Sequence, residues 1–152
     1  TQAKMGGNYL NSIIATQEAK RNGVDEAILL DQEGNVSEAP GENIFIVKDG
    51  QLITPSLSSS ALEGITRDAI IKIAKDLDID VVERDFKRSE LTISDEIFLT
   101  GTAAEITPVI SMDSKKIGTG KPGDITKKMM QEYFDIVMNK NIDYSHWLTE
   151  VY

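Results

Sequence analysis

Apolar residues recur every three or four positions in three separate segments of this 152-residue chain, a spacing typical of amphipathic helices. The pattern predicts helices over residues 8–21, 64–77 and 123–138. We expect the apolar residues of each helix to share one face, and those of the third helix to point inward. They are Leu10, Ile13, Ile14 and Ala19 in the first helix, Ile65, Ala69, Ile70, Ile73 and Ala74 in the second, and Ile125, Met129, Met130, Tyr133, Phe134 and Val137 in the third.

The segments between these helices carry the alternation and turn residues typical of β-strands. Strands are predicted over residues 26–30, 43–47, 51–54, 79–82, 96–99, 105–112 (broken at Pro108) and 116–117, with a short helical turn over 87–91. Asp49-Gly50 is the strongest hairpin signal. Because hairpins alternate with helices, a purely parallel sheet is disfavoured. We expect one domain, residues 1–152, of the α/β class (α+β-like), with a mainly antiparallel, barrel-like sheet flanked by helices.

Composition narrows the classes of partner. The chain is 40% hydrophobic and 27% charged, as in a soluble globular protein, and its net charge of −9 argues against nucleic acid or an anionic membrane. It has no cysteine, which excludes disulfides and thiolate catalysis and fits a reducing cytoplasm. With His146 as the only histidine, a Ser/His/Asp triad or a zinc site is poorly supported, and no metal is expected. The first residue is not methionine, so we expect a piece of a longer chain.

The stretch over residues 38–67 holds the most informative chemistry. Glu38 precedes Ala39-Pro40-Gly41, a segment that cannot pair regularly because proline lacks an N–H group and glycine permits positive φ. One interpretation of Glu38 is a solvated loop carboxylate. The other is an acid beside a ring nitrogen of a cofactor, where it would keep that nitrogen protonated.

Two further segments could receive an anion. Gly64-Ile65-Thr66 begins the second predicted helix, where free N–H groups and the helix dipole favour a phosphate, although ordinary helices also begin in this way. The turn over residues 100–104 has only small side chains, so its backbone N–H groups could approach a ligand closely, with the Thr102 hydroxyl beside them. As an alternative, it is simply a tight turn.

The N-terminal segment contains one amine that could react. Lys4 stands five positions before Tyr9, and Met5-Gly6-Gly7-Asn8 lies between them. A lysine so close to the terminus is most often solvated. The alternative is a lysine that forms a Schiff base, with a pKa lowered by burial and neighbouring positive charge.

Seven segments, in order along residues 3–128, together resemble the C-terminal (large) domain of a branched-chain amino acid aminotransferase, a fold-type IV enzyme that depends on pyridoxal 5'-phosphate. They are AKMGGNYLNS, EAILLD, VSEAPGENIF, LITP, SSALEGITRD, DEIFLTGTAAEITPV and GKPGDITKK. Several of these segments are long and uncommon, so the resemblance is specific. One departure is Glu63, which stands where the family often has proline and which we expect to point outward.

The resemblance implies a role for each matching residue. Lys4 takes the position of the catalytic lysine, which bonds the cofactor and moves the substrate's α-proton. Glu38 takes that of the acid paired with the pyridine nitrogen. The other implied cofactor contacts are Tyr9 near the phenolic oxygen, Leu62 near the ring, and Gly64, Ile65, Thr66 and Thr102 at the phosphate. The backbone of Thr102, Ala103 and Ala104 is implied to receive the substrate carboxylate.

The implied activity is transamination of leucine, isoleucine and valine with 2-oxoglutarate, by a cytoplasmic enzyme that is commonly a homodimer. A D-amino acid aminotransferase or an aminodeoxychorismate lyase of the same fold is the alternative, although GTAAEITPV (residues 101–109) favours the branched-chain enzymes. Family members also carry an N-terminal domain, absent from this sequence, which supplies a phosphate-binding arginine and much of the substrate pocket. We therefore expect little activity from the chain alone. The alternative of another class is a non-catalytic, folded interaction domain.

Overall fold

The computed structural model describes residues 9–59 and 61–149. The α-helices in these ranges are α1 (Tyr9–Arg21), α2 (Ile65–Asp76), α3 (Arg88–Leu91) and α4 (Asp124–Val137), and two 3-10 helices span Leu57–Ser59 and Ile142–Trp147. The strands are β1 (Asn43–Lys48), β2 (Gln51–Thr54), β3 (Val81–Glu83), β4 (Glu96–Gly101), β5 (Glu105–Pro108), β6 (Ser111–Met112) and β7 (Lys115–Lys116). Within the described ranges, each helix is too short or too polar to cross a membrane.

Five strands form one mixed sheet in the order β3-β2-β1-β4-β5, and β6 pairs with β7 in a separate hairpin. The pairs β1–β2, β1–β4 and β4–β5 are antiparallel, whereas β2 and β3 run parallel. The fold is therefore a mixed α/β arrangement. The barrel-like closure that we predicted is not confirmed, because β3 and β5 lie at opposite edges of the sheet and do not pair in the described part of the chain.

Both faces of the central strands are buried, which explains why β1 reads as a continuous apolar run. Phe45 stacks on Phe98 of β4 at 5.1 Å between ring centroids, and α2 and α4 cover this face of the sheet. Ile44 and Ile46 point the other way, because side chains alternate along a strand. They pack with Phe86 and other residues of a second core. The sheet thus separates two hydrophobic cores.

Most of the predicted elements are confirmed, including the three long helices and the hairpin at Asp49-Gly50, where both residues have positive φ. The strand predicted over residues 26–30 is wrong. This segment makes one isolated bridge, between Leu30 and Val36, and two backbone bonds between Leu29 and residues 37 and 38, too few for a ladder.

Some residues predicted to share the apolar helical faces lie at the surface. Ile65 at the start of α2 is 78% exposed, and Met130, Phe134 and Val137 of α4 are each more than a third exposed. The period of a helix shows which residues share a face, but not how much of that face the neighbouring elements cover. On α1, Leu10, Ile13 and Ile14 are also exposed.

Candidate functional site

Three of the segments that carry predicted site residues meet at one end of the sheet: the loop after Glu38, the start of α2 and the turn between β4 and β5. Asn43, the first residue of β1, pairs with Thr100 near the end of β4. The helix α2 begins beside the same residue, because a Cβ atom built on Gly64 would lie 2.1 Å from Asn43 Oδ1. Gly101 follows Thr100 and comes so close to the loop after Glu38 that its Cβ would lie 3.2 Å from the Gly41 carbonyl oxygen.

Glu38 is half-buried and held in place, rather than solvated in a loop. Its Oε2 atom accepts a hydrogen bond from the Leu62 N–H group at 2.8 Å, across 24 residues of sequence. Its backbone carbonyl accepts from the Leu29 N–H group at 2.8 Å. The carboxylate therefore sits beside the connection that leads into α2. This position fits the predicted role as a cofactor acid, which stays a prediction.

The main chain of Leu62 joins Glu38 to the start of α2. While its N–H group donates to Glu38, its carbonyl oxygen accepts from Asn43 Nδ2 at 2.7 Å. Leu62 itself is half-buried, and the following residue, Glu63, is exposed, as we expected from its departure from the family pattern. Two residues further along the chain the helix begins.

The first turn of α2 presents N–H groups that, among the described residues, no side chain caps. Four N–H groups at the start of any α-helix lack partners inside the helix, and the helix dipole makes this end favourable for anions. Gly64 is the N-cap residue, and Thr66 in this turn is 4% exposed. Ile65, predicted as a phosphate contact, turns its side chain to the surface, so its contribution to such a site would come from its backbone.

Arg67, which in an ordinary helix start would be solvated, is instead only 4% exposed. Its Nη2 atom donates to the Pro55 carbonyl oxygen at 2.9 Å and to Glu83 Oε2 at 2.7 Å. These bonds connect the first turn of α2 to the residue after β2 and to the end of β3. The start of α2 is therefore fixed to the parallel strand pair as well as to Asn43.

The β4–β5 turn holds Thr102, Ala103 and Ala104, of which the first two are exposed. Nearby, Glu42 lies against Gly101, with its Cγ atom 3.4 Å from the position of a Cβ built on that glycine, and its carboxylate accepts from the Gly41 N–H group at 3.2 Å. Burial raises the pKa of Glu42. The turn therefore has residues that a ligand can reach from solvent, and the partly buried acid Glu42 lies next to it.

For two of the predicted site residues, Tyr9 and Lys4, the structure gives less information. Tyr9 is the first residue of α1 and is half-buried. Lys4 lies outside the described residues, so its predicted role stays a prediction. Sequence reasoning did not single out Asn43 and Arg67 as site residues. The available signal for Asn43 was a polar residue at the start of an otherwise apolar strand.

Comparison with known proteins identifies the family. The family model described as "Amino-transferase class IV" matches residues 1–112, and the chain belongs to this family. It is 53% identical over 150 residues to a probable branched-chain-amino-acid aminotransferase of Aquifex aeolicus, covering 98% of this chain and 48% of that protein. It is 51% identical over 151 residues to the branched-chain-amino-acid aminotransferase of Escherichia coli K12, covering 99% and 49%.

A solved structure gives the same result for the fold. The T.th. branched-chain amino acid aminotransferase, complexed with N-(5'-phosphopyridoxyl)-L-glutamate, superposes with a TM-score of 0.96 at 46% identity. The match covers 99% of this chain and 51% of that one. The chain therefore spans about half the length of the relatives it matches.

Proposed function

We propose that this chain is the C-terminal, cofactor-binding domain of an enzyme that transaminates leucine, isoleucine and valine with 2-oxoglutarate, using pyridoxal 5'-phosphate. One observation carries the proposal: the 2.8 Å hydrogen bond from the Leu62 N–H group to Glu38 Oε2, which holds an acid close to the start of α2, where no described side chain accepts from the first N–H groups. An acid that could pair with a ring nitrogen therefore lies next to a helix start that could bind an anion. The names of the relatives supply the class of amino acid, branched-chain, and the resemblance of the sequence to that family supplies 2-oxoglutarate.

The described residues fit pyridoxal 5'-phosphate. The start of α2, with Gly64, the N–H groups of Ile65 and Thr66, and the buried Thr66 side chain, would hold the phosphate, with Thr102 as a further contact. Glu38 would accept a hydrogen bond from the protonated ring nitrogen, Leu62 would pack near the ring, and Tyr9 would lie near the phenolic oxygen. When bound, the cofactor supplies an electron sink for the pair released by removal of an α-proton.

Each protein group would then have one task. The Glu38 carboxylate, as a fixed negative charge, favours the protonated ring nitrogen. The Nζ amine of Lys4 would hold the cofactor until the substrate's amine displaces it, and the freed amine would then carry the substrate's α-proton. The backbone N–H groups of the turn over residues 102–104 would bind the substrate carboxylate. Orientation by these groups lowers the barrier because the reacting bond is held in place before reaction.

The remainder of the relatives' length would belong to a second domain that completes the site. We propose that the whole enzyme is a homodimer in the cytoplasm, in keeping with the acidic, cysteine-free composition of this chain. On this view the chain without that second domain has little activity.

Absorbance spectroscopy on the full-length protein tests the proposal. Titration with pyridoxal 5'-phosphate should produce a band at the edge of the visible range, and the Lys4→Ala variant should lose it. Lys20→Ala, which changes an exposed lysine in the last turn of α1, is the matched control and should keep the band. A band that persists in Lys4→Ala would defeat the assignment of Lys4.

Substrate profiling tests the choice within the fold. The full-length protein should transfer the amino group of L-leucine to 2-oxoglutarate and leave D-alanine and aminodeoxychorismate unreacted. Turnover of either of the latter instead of L-leucine would assign the D-amino acid or lyase activity. A full-length protein that binds no cofactor and converts none of the three would point to a non-catalytic domain.

A further inference from the structure

Asn43 contacts both parts of the candidate site, although the sequence pattern assigned it only to a strand. Its side chain is almost fully buried, with 6% of the residue exposed. Its Nδ2 atom donates to the Leu62 carbonyl oxygen at 2.7 Å, and its Oδ1 atom occupies the space next to Gly64 that a Cβ would need. One side chain therefore touches both the residue that binds Glu38 and the residue at which α2 begins.

We propose that Asn43 is a positioning residue that fixes the start of α2 relative to Glu38, and hence the phosphate end of the cofactor relative to its ring end. This inference rests on the proposed function. The link runs through the main chain of Leu62, whose N–H group is bound by Glu38 and whose carbonyl oxygen is bound by Asn43. Because both the N–H and the carbonyl group of Leu62 are bound, Glu38 and the start of α2 cannot shift independently.

The backbone of Asn43 extends the link to the third part of the site. Asn43 pairs with Thr100 in the sheet, and the turn that carries Thr102 begins two residues later. Side chains at paired positions of antiparallel strands point to the same face. Asn43 thus lies where the loop after Glu38, the start of α2 and the β4–β5 turn come together.

An amide side chain suits this position better than a carboxylate. An aspartate would lose the donor that binds the Leu62 carbonyl, because an ionised carboxylate only accepts hydrogen bonds. It would also place a negative charge at the start of α2, where the helix dipole attracts anions. That charge would compete with a phosphate for the same N–H groups.

Binding measurements on the full-length protein, freed of cofactor, test the proposal. Dissociation constants are measured for pyridoxal 5'-phosphate and for pyridoxal, and their ratio defines the phosphate preference. We expect Asn43→Ala to lower this preference about tenfold, because a buried hydrogen bond that fixes the cradle is lost. Asn43→Asp should lower it further, because its charge competes with the phosphate at the start of α2.

Thr54→Val is the matched control. It removes a different hydrogen bond from a side chain to the backbone, the buried bond from Thr54 Oγ1 to the Ile44 carbonyl oxygen at 2.9 Å, without touching Leu62 or Gly64. It should lower the melting temperature and leave the phosphate preference within about twofold.

The outcomes separate the two proposals. If the wild-type protein prefers pyridoxal 5'-phosphate and both Asn43 variants keep that preference, the positioning role is overturned and the proposed function stands. An equal loss of preference in Thr54→Val would also overturn the role, since it would show a general effect of instability. If the wild-type protein shows no preference at all, the proposed function itself fails.

Discussion

The helices α2 and α4 begin in similar ways, but the N–H groups of their first turns differ in whether a side chain accepts hydrogen bonds from them. Both have a glycine at the N-cap, Gly64 and Gly123, with φ near −78° and a neighbouring side chain where a Cβ would be. In α4 that neighbour is the Glu96 carboxylate, which accepts from the N–H groups of Ile125 and Thr126 at 3.2 and 2.7 Å. The protein thus supplies its own anion to α4.

At α2 the neighbour is an amide, and its donor points away from the helix. Asn43 Nδ2 binds the Leu62 carbonyl oxygen, and in the described part of the chain the first N–H groups of α2 receive no side-chain acceptor. The difference teaches that a glycine followed closely by a threonine does not by itself define a phosphate site. What distinguishes the two helices is whether a carboxylate already occupies the position of the anion.

The largest effect is expected at the internally capped helix. Glu96→Ala should lower the free energy of unfolding by about 2 kcal/mol, because two N–H groups of α4 lose a charged acceptor. Urea unfolding of the full-length protein measures this loss. Asp124→Ala removes a fully exposed acid from the same turn and should have a much smaller effect, because solvent screens its charge. Equal losses in the two variants would show that the Glu96 bonds do not matter.

The two N-cap glycines provide a paired test. Alanine at either position would have an ordinary φ, so each effect comes from the side chain that it displaces. Gly123→Ala should displace Glu96 and cost about 1.5 kcal/mol of stability with an unchanged phosphate preference. Gly64→Ala should displace Asn43 and lower that preference about tenfold. The reverse assignment of effects would contradict the comparison.

The C-terminal end of α2 should be independent of its start. Tyr144 donates to Asp76 Oδ2 at 2.5 Å, and burial together with this acid raises the pKa of Tyr144 to about 12. The folded state then holds its proton up to a higher pH than the unfolded chain, where tyrosine titrates near pH 10. This stabilisation is complete below about pH 10 and is lost as the pH rises towards 12.

Tyr144→Phe should therefore cost about 1 kcal/mol at neutral pH and reduce the alkaline loss of stability, with an unchanged phosphate preference. Unfolding measured from pH 8 to 12 provides the readout. Asp76→Asn should also reduce the alkaline loss, whereas Asp78→Asn, which removes a charge from an exposed residue nearby, should not. A lowered phosphate preference in Tyr144→Phe would show that the two ends of α2 are coupled.

The smallest effect is expected at Thr126. Its Oγ1 atom is buried and has no hydrogen-bond partner among the residues described. Thr126→Val keeps the shape and removes an unsatisfied group, so the free energy of unfolding should stay within about 0.5 kcal/mol or rise. Thr54→Val, which breaks a made bond, should cost about 1.5 kcal/mol. A large loss in Thr126→Val would indicate that this hydroxyl caps α4 alongside Glu96.

The sequence predicted the elements whose signals are local. The bounds of α2 and α4 follow from a period of 3.6 and from their glycine starts, and the hairpin at Asp49-Gly50 follows from the φ values that its turn requires. The strand predicted over residues 26–30 failed because a strand needs a partner of sufficient length. Such pairing depends on distant residues, so an apolar run alone does not establish it.

The candidate site was predictable in its parts but not in its assembly. Glu38 and the start of α2 were identified from residue type and position. Their link was not, because it passes through the N–H and carbonyl groups of Leu62, which every residue except proline possesses in full. The burial of Arg67 could not be predicted either, since one of its two acceptors is the Pro55 carbonyl, and every residue has a backbone carbonyl.

The bonds that hold Leu62 also bear on how this site can diverge. Since Glu38 and Asn43 bind main-chain atoms of Leu62, these two bonds do not depend on which side chain position 62 carries, with proline as the exception. Natural variation at this position can therefore change the side chain beside the proposed cofactor site while both bonds to the main chain are kept.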